Sequence, residues 1–235
     1  MEALFRTEAY SRECQATVVS VDPEGILLDR SVFYPEGGGQ PGDRGRLLRA
    51  DGTAVEIVDT VKGDGPDVSL HKPAEGAALP APGETVTAEI DWPRRHRLMR
   101  MHTAMHLLCS LIEGEVTGGQ VGEDKGRLDF NLPDTKLDKE ALQAALDDLV
   151  ARDLPVAVTW IDDAELDARP ELVRTMSVKP PRGAGGRVRL IDIEGADLQP
   201  CGGTHVARTG EIGAIAVGKI ENKGRQNRRV NLRFV

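Results

Sequence analysis

Short runs of alternating apolar and polar residues follow one another through the first ninety positions, and Gly, Pro and Asp separate them. Runs that are rich in β-branched residues and end at turn residues are typical of β-strands. The strands predicted in this way cover 16–21, 25–28, 54–58 and 84–90. The pattern predicts a small antiparallel β-barrel over 1–90.

A helical pattern replaces this alternation near Asp91. Pro93 suits the first turn of a helix, nothing breaks the helix up to residue 113, and Gly114 is a plausible stop. Apolar residues recur at helical spacing within this segment. These apolar residues are Leu98, Met101, Met105, Leu108 and Ile112. Pattern and turn residues further predict a helix over 136–152, a mobile loop over 179–186 and strands at 127–132, 156–161, 187–193, 212–220 and 228–235. The domain boundary is expected between residues 90 and 91, and the fold class is α+β.

The composition is that of a folded protein, since 40% of the 235 residues are hydrophobic and 29% are charged. The sequence contains no apolar run of about 18 residues that could span a membrane. Charged residues also interrupt the region where a signal peptide needs its apolar stretch. Three cysteines cannot form a disulfide framework. We therefore expect a cytoplasmic protein that does not act on a membrane.

The net charge and its distribution along the chain limit the kinds of nucleic-acid binding that can be expected. The formal net charge of -8 argues against general nucleic-acid binding, and the 4 Phe, 2 Tyr and 2 Trp argue against a base-stacking platform. Two local clusters are nevertheless basic. Residues 92–100 carry four arginines and no acid, and residues 219–235 carry six Lys or Arg against one Glu. Such clusters either contact phosphates or are ordinary solvated charge, and charge alone does not decide between these readings.

His102 and His106 lie four residues apart within the first predicted helix. This spacing is about one helical turn, so both imidazoles project from the same side and could bind one metal ion. Thr103 stands where a His-Glu-x-x-His metalloprotease has its glutamate, which argues against protease chemistry. Two histidines at this spacing can equally be packing or surface residues.

A second candidate pair, Cys201 and His205, encloses two glycines. Glycine permits a tight loop that could turn both side chains toward one centre, although a buried thiol in a tight turn is the alternative. Together the two pairs supply three histidines and one cysteine, which are suitable ligands for tetrahedral zinc. Cys109 follows the helical histidines on the same side and is a competing ligand, but a small buried residue is the simpler interpretation. Cys14, His71 and His96 are assigned no role.

Four segments resemble the editing domain of alanyl-tRNA synthetase and, more closely, its free-standing relatives called AlaX. HTAMHLL at 102–108 and CGGTH at 201–205 carry the two ligand pairs, and TGEIG at 209–213 follows them. FYPEGGGQPGD at 33–43 resembles the glycine-rich segment of the β-barrel that precedes the editing domain in the medium-length AlaX type. The resemblance covers most of the chain in the family's order.

The resemblance implies an aminoacyl-tRNA hydrolase that acts in trans and cleaves the ester between a wrong amino acid and alanine tRNA. Its expected substrates are seryl-tRNA(Ala) and glycyl-tRNA(Ala), because binding alone discriminates such near-isosteres from alanine by only about 10–200-fold. The sequence leaves the preference between these two substrates open. The implied fold is an N-terminal β-barrel over 1–90 followed by a two-layer α/β editing domain over 91–235. That domain would have a mostly antiparallel sheet and a zinc site.

The resemblance also implies the catalytic centre. The residues that would hold zinc are His102, His106, Cys201 and His205. Zinc could activate water, polarise the carbonyl or anchor the substrate. Because four protein ligands fill a tetrahedral site, either the coordination expands or one ligand is loose, and His205 is the candidate for the loose ligand.

Substrate contacts are expected from two glycine-containing segments, through Thr117, Gln120, Gly38, Gly39 and Gln40. Thr117 or Gln120 would meet the amino or hydroxyl group of the substrate, unless their segment is a simple turn before a strand. The segment that contains Gln40 would approach the tRNA acceptor stem with bare backbone, or it is a structural bend. Asp192 and Glu194 could accept hydrogen bonds from histidine N–H groups, or they are solvated acids.

The expected partner is therefore mischarged alanine tRNA, with the two basic clusters as phosphate contacts. DNA is not an expected partner, and the sequence leaves the oligomeric state open. Three alternatives remain at this point. They are a deacylase for a different mischarged tRNA, a non-catalytic tRNA-binding module with structural zinc, and a metal-dependent hydrolase of small esters.

Overall fold

The computed structural model describes residues 1–65, 67–133, 136–176 and 186–235. Except for Gly186, the loop predicted over 179–186 lies outside these ranges. Contacts divide the chain into two units, the first formed by Met1–Gly37 with Pro41–Arg95 and the second by Gly38–Gln40 with His96–Val235. The predicted boundary at 90/91, and the role of each part, remain proposals.

The first unit is built around a closed antiparallel barrel. Its strands are β2 (Glu13–Asp22), β3 (Gly25–Leu28), β5 (Gly45–Arg49), β6 (Ala54–Lys62), β7 (Ser69–Pro73) and β8 (Thr85–Ile90), and the short strands β1 (Glu2–Ala3) and β4 (Arg30–Ser31) pair in parallel. The barrel order is β2, β3, β7, β6, β5 and β8, and β8 pairs with β2. The predicted barrel is confirmed.

Alternation along the strands explains the barrel core. Ala16 and Val18 of β2 and Val86, Ala88 and Ile90 of β8 are buried together, and polar residues stand between them in the sequence. Strands β5 and β7 were not predicted, because their sequences GRLLR and SLHKP contain few apolar residues and no β-branched ones.

The second unit is a two-layer α/β structure. Its elements are α1 (Trp92–Ser110, of which the residues from His96 onward belong here), β9 (Glu115–Gln120), β10 (Lys125–Asn131), α2 (Lys139–Ala151), β11 (Val156–Asp162), α3 (Asp163–Asp167), β12 (Arg187–Ile193), β13 (Asp197–Pro200), β14 (Ile215–Asn222) and β15 (Asn227–Phe234). One antiparallel sheet has the order β14-β15-β10-β9, and the other has the order β11-β12-β13.

Two helices cover the first of these sheets. Met101 and Met105 of α1 pack where Gly126 of β10 leaves no side chain, and Met105 also lies 3.5 Å from the position that a Cβ of Gly119 would occupy. Gln143 of α2 binds the backbone of β14 at Ile215 O and Val217 N. The predicted α+β class with a mostly antiparallel sheet is confirmed.

The ends of several elements differ from the sequence prediction, and three of them show why. Helix α1 ends at Ser110 rather than at 113, and Gly114 instead allows close packing against Leu132. Helix α2 begins at Lys139 rather than at 136, because the Asp138 side chain accepts the first free backbone N–H groups. The strand expected from 212 begins at Ile215, after a 3₁₀ turn. Within the described ranges, no helix is long and apolar enough to cross a membrane.

Candidate metal centre

Four side chains from two distant parts of the sequence meet in the second unit. His102 and His106 project from α1, and Cys201 and His205 lie on the loop that follows β13. Their ligand atoms all lie within 4.8 Å of one another. Cys201 Sγ is 3.6 Å from His102 Nε2, although the two residues are 99 positions apart, and it is 3.3 Å from His205 Nε2. A group with this geometry could hold a metal ion.

Each of the three histidines is oriented by a contact at its Nδ1 atom. His102 Nδ1 lies 2.8 Å from Gln40 Oε1, and His106 Nδ1 lies 2.8 Å from Asp197 Oδ2. His205 Nδ1 lies 3.2 Å from Thr103 Oγ1. A histidine that ligates a metal through one ring nitrogen usually donates a hydrogen bond from the other. The arrangement therefore directs the Nε2 atoms toward the cluster.

Gln40 links the helical ligand pair to the loop. Its Oε1 atom also accepts Thr204 N at 3.1 Å, and its Nε2 atom donates to Thr204 Oγ1 at 2.9 Å. The Gln40 side chain is fully buried. Position 203, in the same loop, must be glycine, because a Cβ there would lie 2.3 Å from His102 Cε1. The bare backbone of the loop can therefore approach the imidazole.

The electrostatics of the cluster favour a thiolate. Burial by itself would raise the pKa of the Cys201 thiol, but His102 and His205 bring it well below the usual cysteine value. Burial opposes the protonation of His106, but its hydrogen bond to Asp197 and the proximity of Cys201 raise its pKa to about 10. Burial and the charge of His102 hold the pKa of His205 well below its usual value. The thiolate is the form of cysteine that binds metals.

The predicted substrate residues lie on two segments of the second unit. Thr117 and Gln120 are on strand β9, not in a turn, and Thr117 Oγ1 is bonded to Asp129 O. Gln120 is exposed, as are Gly38 and Gly39. Gly39 approaches β9 closely, since a Cβ at Gly39 would lie 2.6 Å from Gly119 O and its own carbonyl accepts Val121 N at 2.8 Å. These two segments therefore adjoin, while the amide of Gln40 faces the buried cluster.

The structure corrects the expected outer contacts of the ligands. Asp197, and not Asp192 or Glu194, accepts from a ligand histidine, because it opens β13 directly before the Cys–His loop. Cys109 is buried and outside the ligand group found among the described residues, and burial raises its pKa. Sequence reasoning missed Asp197 and the contact of Thr103, and it assigned Gln40 to the substrate because no local signal links it to His102.

The two basic clusters have different environments. Arg94 donates to Gly42 O, and the completely buried Arg95 pairs with Asp43 and donates to Val32 O in the first unit. The expectation that these two arginines contact phosphates is therefore wrong, because their guanidinium groups are used inside the protein. The cluster in the last strands of the chain is different, since Lys219 and Arg233 are exposed there.

Comparison with known proteins agrees with this geometry. The family described as the threonyl and alanyl tRNA synthetase second additional domain matches residues 188–231, and tRNA synthetases class II (A) match residues 2–94. An alanyl-tRNA editing protein AlaX-M of Methanosarcina barkeri is 39% identical over 100% of this chain and 99% of its own length. The chain belongs to the AlaX-M family of alanyl-tRNA editing proteins.

Other relatives agree with membership in the AlaX-M family. An AlaX-M protein of Saccharolobus solfataricus is 31% identical over 97% of both chains. An alanine–tRNA ligase of Halobacterium salinarum is 36% identical over 92% of this chain but over 24% of its own length. The resemblance recognised in the sequence is confirmed, and so is the prediction that the chain is an enzyme of an editing family.

Proposed function

We propose that this chain hydrolyses the ester of mischarged alanine tRNA, with seryl-tRNA(Ala) as its main substrate and glycyl-tRNA(Ala) as its second. The observation that carries this proposal is the convergence of His102, His106, Cys201 and His205 in a chain that matches AlaX-M proteins from end to end. Serine differs from alanine by one hydroxyl group, so a site that charges alanine cannot exclude serine by binding alone. A second site is therefore needed to hydrolyse the mischarged seryl-tRNA.

The donor set fits zinc. Imidazole nitrogen and thiolate sulfur are ligands that zinc prefers, and four of them match its tetrahedral coordination. We propose that the four residues hold one zinc ion, which would supply a Lewis acid next to the ester carbonyl or the attacking water. The contacts at the Nδ1 atoms support this assignment, because Gln40, Asp197 and Thr103 leave each Nε2 directed at the cluster.

The residues around the cluster provide its preorganisation. The three histidines are each at most 7% exposed, so their rings are shielded from bulk water. Gln40 and Asp197 fix two of them at 2.8 Å. We propose that the exposed backbone of Gly38 and Gly39 and strand β9 with Thr117 and Gln120 meet the aminoacyl end of the substrate. Gln40 serves that end indirectly by orienting His102.

We propose that the outer face of the sheet β14-β15-β10-β9 contacts the acceptor stem of the tRNA. Strand pairing places Lys125 opposite Arg233 and Asp129 opposite Arg229, so these residues share one face. The basic residues of this face include Lys125, Arg127, Lys219, Arg229 and Arg233, and its acids include Asp129, Glu221 and Glu115, the last of which lies opposite Asn131. The excess of cations suits phosphate contacts that position the stem without reading bases.

Salt dependence tests this surface. Replacing Lys219 and Arg233 with Gln should reduce the slope of log K against log salt concentration by about 0.9 for each phosphate that the protein no longer neutralises. Replacing Lys136 and Lys139 with Gln is the matched control, because both lysines are exposed and this variant also removes two positive charges. Equal slopes for the double variant and the control would exclude this face as the binding surface.

Deacylation assays test the reaction. Purified protein should release serine from seryl-tRNA(Ala) much faster than alanine from alanyl-tRNA(Ala), and a chelator should abolish the release. Hydrolysis of a seryl-tRNA with another acceptor stem at an equal rate would favour the deacylase for a different mischarged tRNA. Chelation that unfolds a protein without turnover would favour the tRNA-binding module with structural zinc. A hydrolysis rate that does not depend on the tRNA portion of the substrate would favour a metal-dependent hydrolase of small esters.

We also propose that the protein acts in the cytoplasm. Cys14, Cys109 and Cys201 are free thiols. A reducing compartment maintains this state, and a ligand thiolate depends on it.

A further inference from the structure

Thr103 lies between the two ligand histidines of α1 and is completely buried. Its hydroxyl donates to Met99 O, one turn earlier in the helix, at 3.0 Å. A threonine hydroxyl has a single hydrogen, and a carbonyl oxygen can only accept. The hydrogen of Thr103 is therefore committed to the helix, and its oxygen is left as an acceptor.

Two groups of the Cys–His loop approach this oxygen. His205 Nδ1 lies 3.2 Å from Thr103 Oγ1, and Val206 N donates to the same atom at 3.3 Å. Since the oxygen can only accept here, Nδ1 of His205 must carry the ring hydrogen. The Nε2 atom then has its lone pair available, and it lies 3.3 Å from Cys201 Sγ.

We propose that Thr103 is a positioning residue of the metal centre, which sets the tautomer and orientation of His205 and fixes the Cys–His loop to α1. This inference rests on the metal site proposed above. Thr103 touches neither substrate nor metal, and it acts through His205.

His205 depends on such a contact more than the other two histidines do. His102 and His106 are held by the backbone of α1 as well as by Gln40 and Asp197, whereas His205 lies on a loop outside any helix or strand. The contact of Thr103 with both His205 and Val206 joins the loop to the helix that carries the other ligand pair. A loose His205, as the sequence suggested, would require this contact to be broken.

Metal binding by three variants tests the proposal. Thr103→Val keeps the shape but removes the acceptor, and Thr103→Ser keeps the acceptor. Ser110→Ala is the matched control, because Ser110 also donates to a carbonyl of α1, at Leu107 O, without touching the ligand group. Loss of an outer partner typically costs about 10–100-fold in metal affinity. We expect Thr103→Val to lose zinc affinity by this factor, and its cobalt-loaded form to show an altered visible spectrum. Thr103→Ser and Ser110→Ala should bind zinc with nearly wild-type affinity.

Zinc affinity is measured by chelator competition on full-length protein, with circular dichroism to confirm folding. Wild-type affinity and an unchanged cobalt spectrum in Thr103→Val would overturn the role of Thr103 while leaving the proposed function intact. Absence of zinc binding in the wild type would overturn both. If Thr103→Val does not fold, nitrogen NMR of the zinc-loaded wild type decides the matter. The proposal requires a protonated Nδ1 on His205, and metal bound through Nδ1 would contradict it.

Discussion

The buried histidine of the barrel and the three candidate ligand histidines of the second unit are all shielded from solvent, but their ring nitrogens make different contacts. In the barrel, His71 Nδ1 contacts Ile26 O at 2.9 Å and His71 Nε2 contacts Ser31 Oγ at 2.8 Å. In His102, His106 and His205, Nδ1 contacts a protein group and Nε2 points to other ligand atoms. Burial alone therefore does not distinguish a functional histidine from a structural one. The distinguishing feature is whether Nε2 points to other potential metal ligands.

His71 and His106 also differ in their charge state. Burial lowers the pKa of His71 to about 4, so this ring is neutral and serves as a hydrogen-bonding core residue. Asp197 and Cys201 raise the pKa of His106 to about 10 against the effect of burial. The surroundings of His71 thus disfavour a positive charge, whereas Asp197 and Cys201 favour one on His106.

The largest expected difference between the two sites concerns activity. Cys201→Ala should lower the rate of seryl-tRNA(Ala) deacylation by more than ~100-fold, because loss of a ligand should exceed the effect of losing an outer partner. His71→Gln, assayed at a temperature where it is folded, should keep the wild-type rate. Circular dichroism and tRNA affinity should stay close to wild type in Cys201→Ala. A normal rate in Cys201→Ala would show that the site assignment is wrong.

The second difference is the pH dependence of stability. The pKa of His71 falls from 6.5 to about 4 on folding, so the unfolded state binds more protons between these values. The contribution of His71 is fully present above pH 6.5 and is lost as the pH falls toward 4, which amounts to about 3 kcal/mol.

Urea unfolding at pH 7 and at pH 4.5 measures this effect. The wild type should lose more unfolding free energy than His71→Gln over the same interval, whereas His96→Gln, with its partly exposed ring, should behave like the wild type. Parallel losses in wild type and His71→Gln would exclude the proposed linkage.

The third difference concerns outer contacts. Asp197→Asn removes the carboxylate that orients His106, so zinc affinity should fall by about 10–100-fold in a chelator competition assay. Ser31→Ala removes a comparable contact of His71 and should leave zinc affinity unchanged. If both variants, or neither, showed weaker zinc binding, the two histidine environments would not differ as described.

The smallest expected effect is on the barrel itself. Ser31→Ala removes the partner of a buried ring nitrogen of His71 and of the Phe33 N–H group, and this should cost about 1–3 kcal/mol of unfolding free energy. Urea unfolding at pH 7 measures the change. Ser20→Ala, on strand β2 and partly exposed, is the control and should cost less. Equal losses of unfolding free energy in Ser31→Ala and Ser20→Ala would show that the contact of Ser31 with His71 does not stabilise the barrel.

The sequence predicted the elements that have strong local patterns. The apolar spacing from Leu98 to Ile112 identified α1, and the alternation in Val230, Leu232 and Phe234 identified β15. Asp138 also carries a readable signal, since an acidic residue before an apolar periodic run is typical of a helix cap, and it would have corrected the start of α2. Strand β9 contains Gly118 and Gly119 and was not predicted as a strand, because glycine disfavours a strand.

The contacts that support the ligands could not be predicted, because they join distant parts of the chain. Gln40 and His102 are 62 positions apart, and His106 and Asp197 are 91 positions apart. The same reason explains the error at Arg94 and Arg95, whose partners lie 52 positions away. A cluster of basic residues in the sequence forms a basic surface only if their side chains face solvent. The sequence does not show when such a side chain is paired with a residue that folding brings close.

X-ray absorption spectroscopy at the zinc edge of the purified protein tests the central claim most directly. The account predicts one zinc ion per chain with nitrogen neighbours at ~2.0–2.1 Å and one sulfur neighbour at ~2.3 Å, and it predicts that this sulfur disappears in Cys201→Ala. A first shell without sulfur, or a sulfur signal that persists in Cys201→Ala, would contradict the meeting of the two ligand pairs on one metal ion.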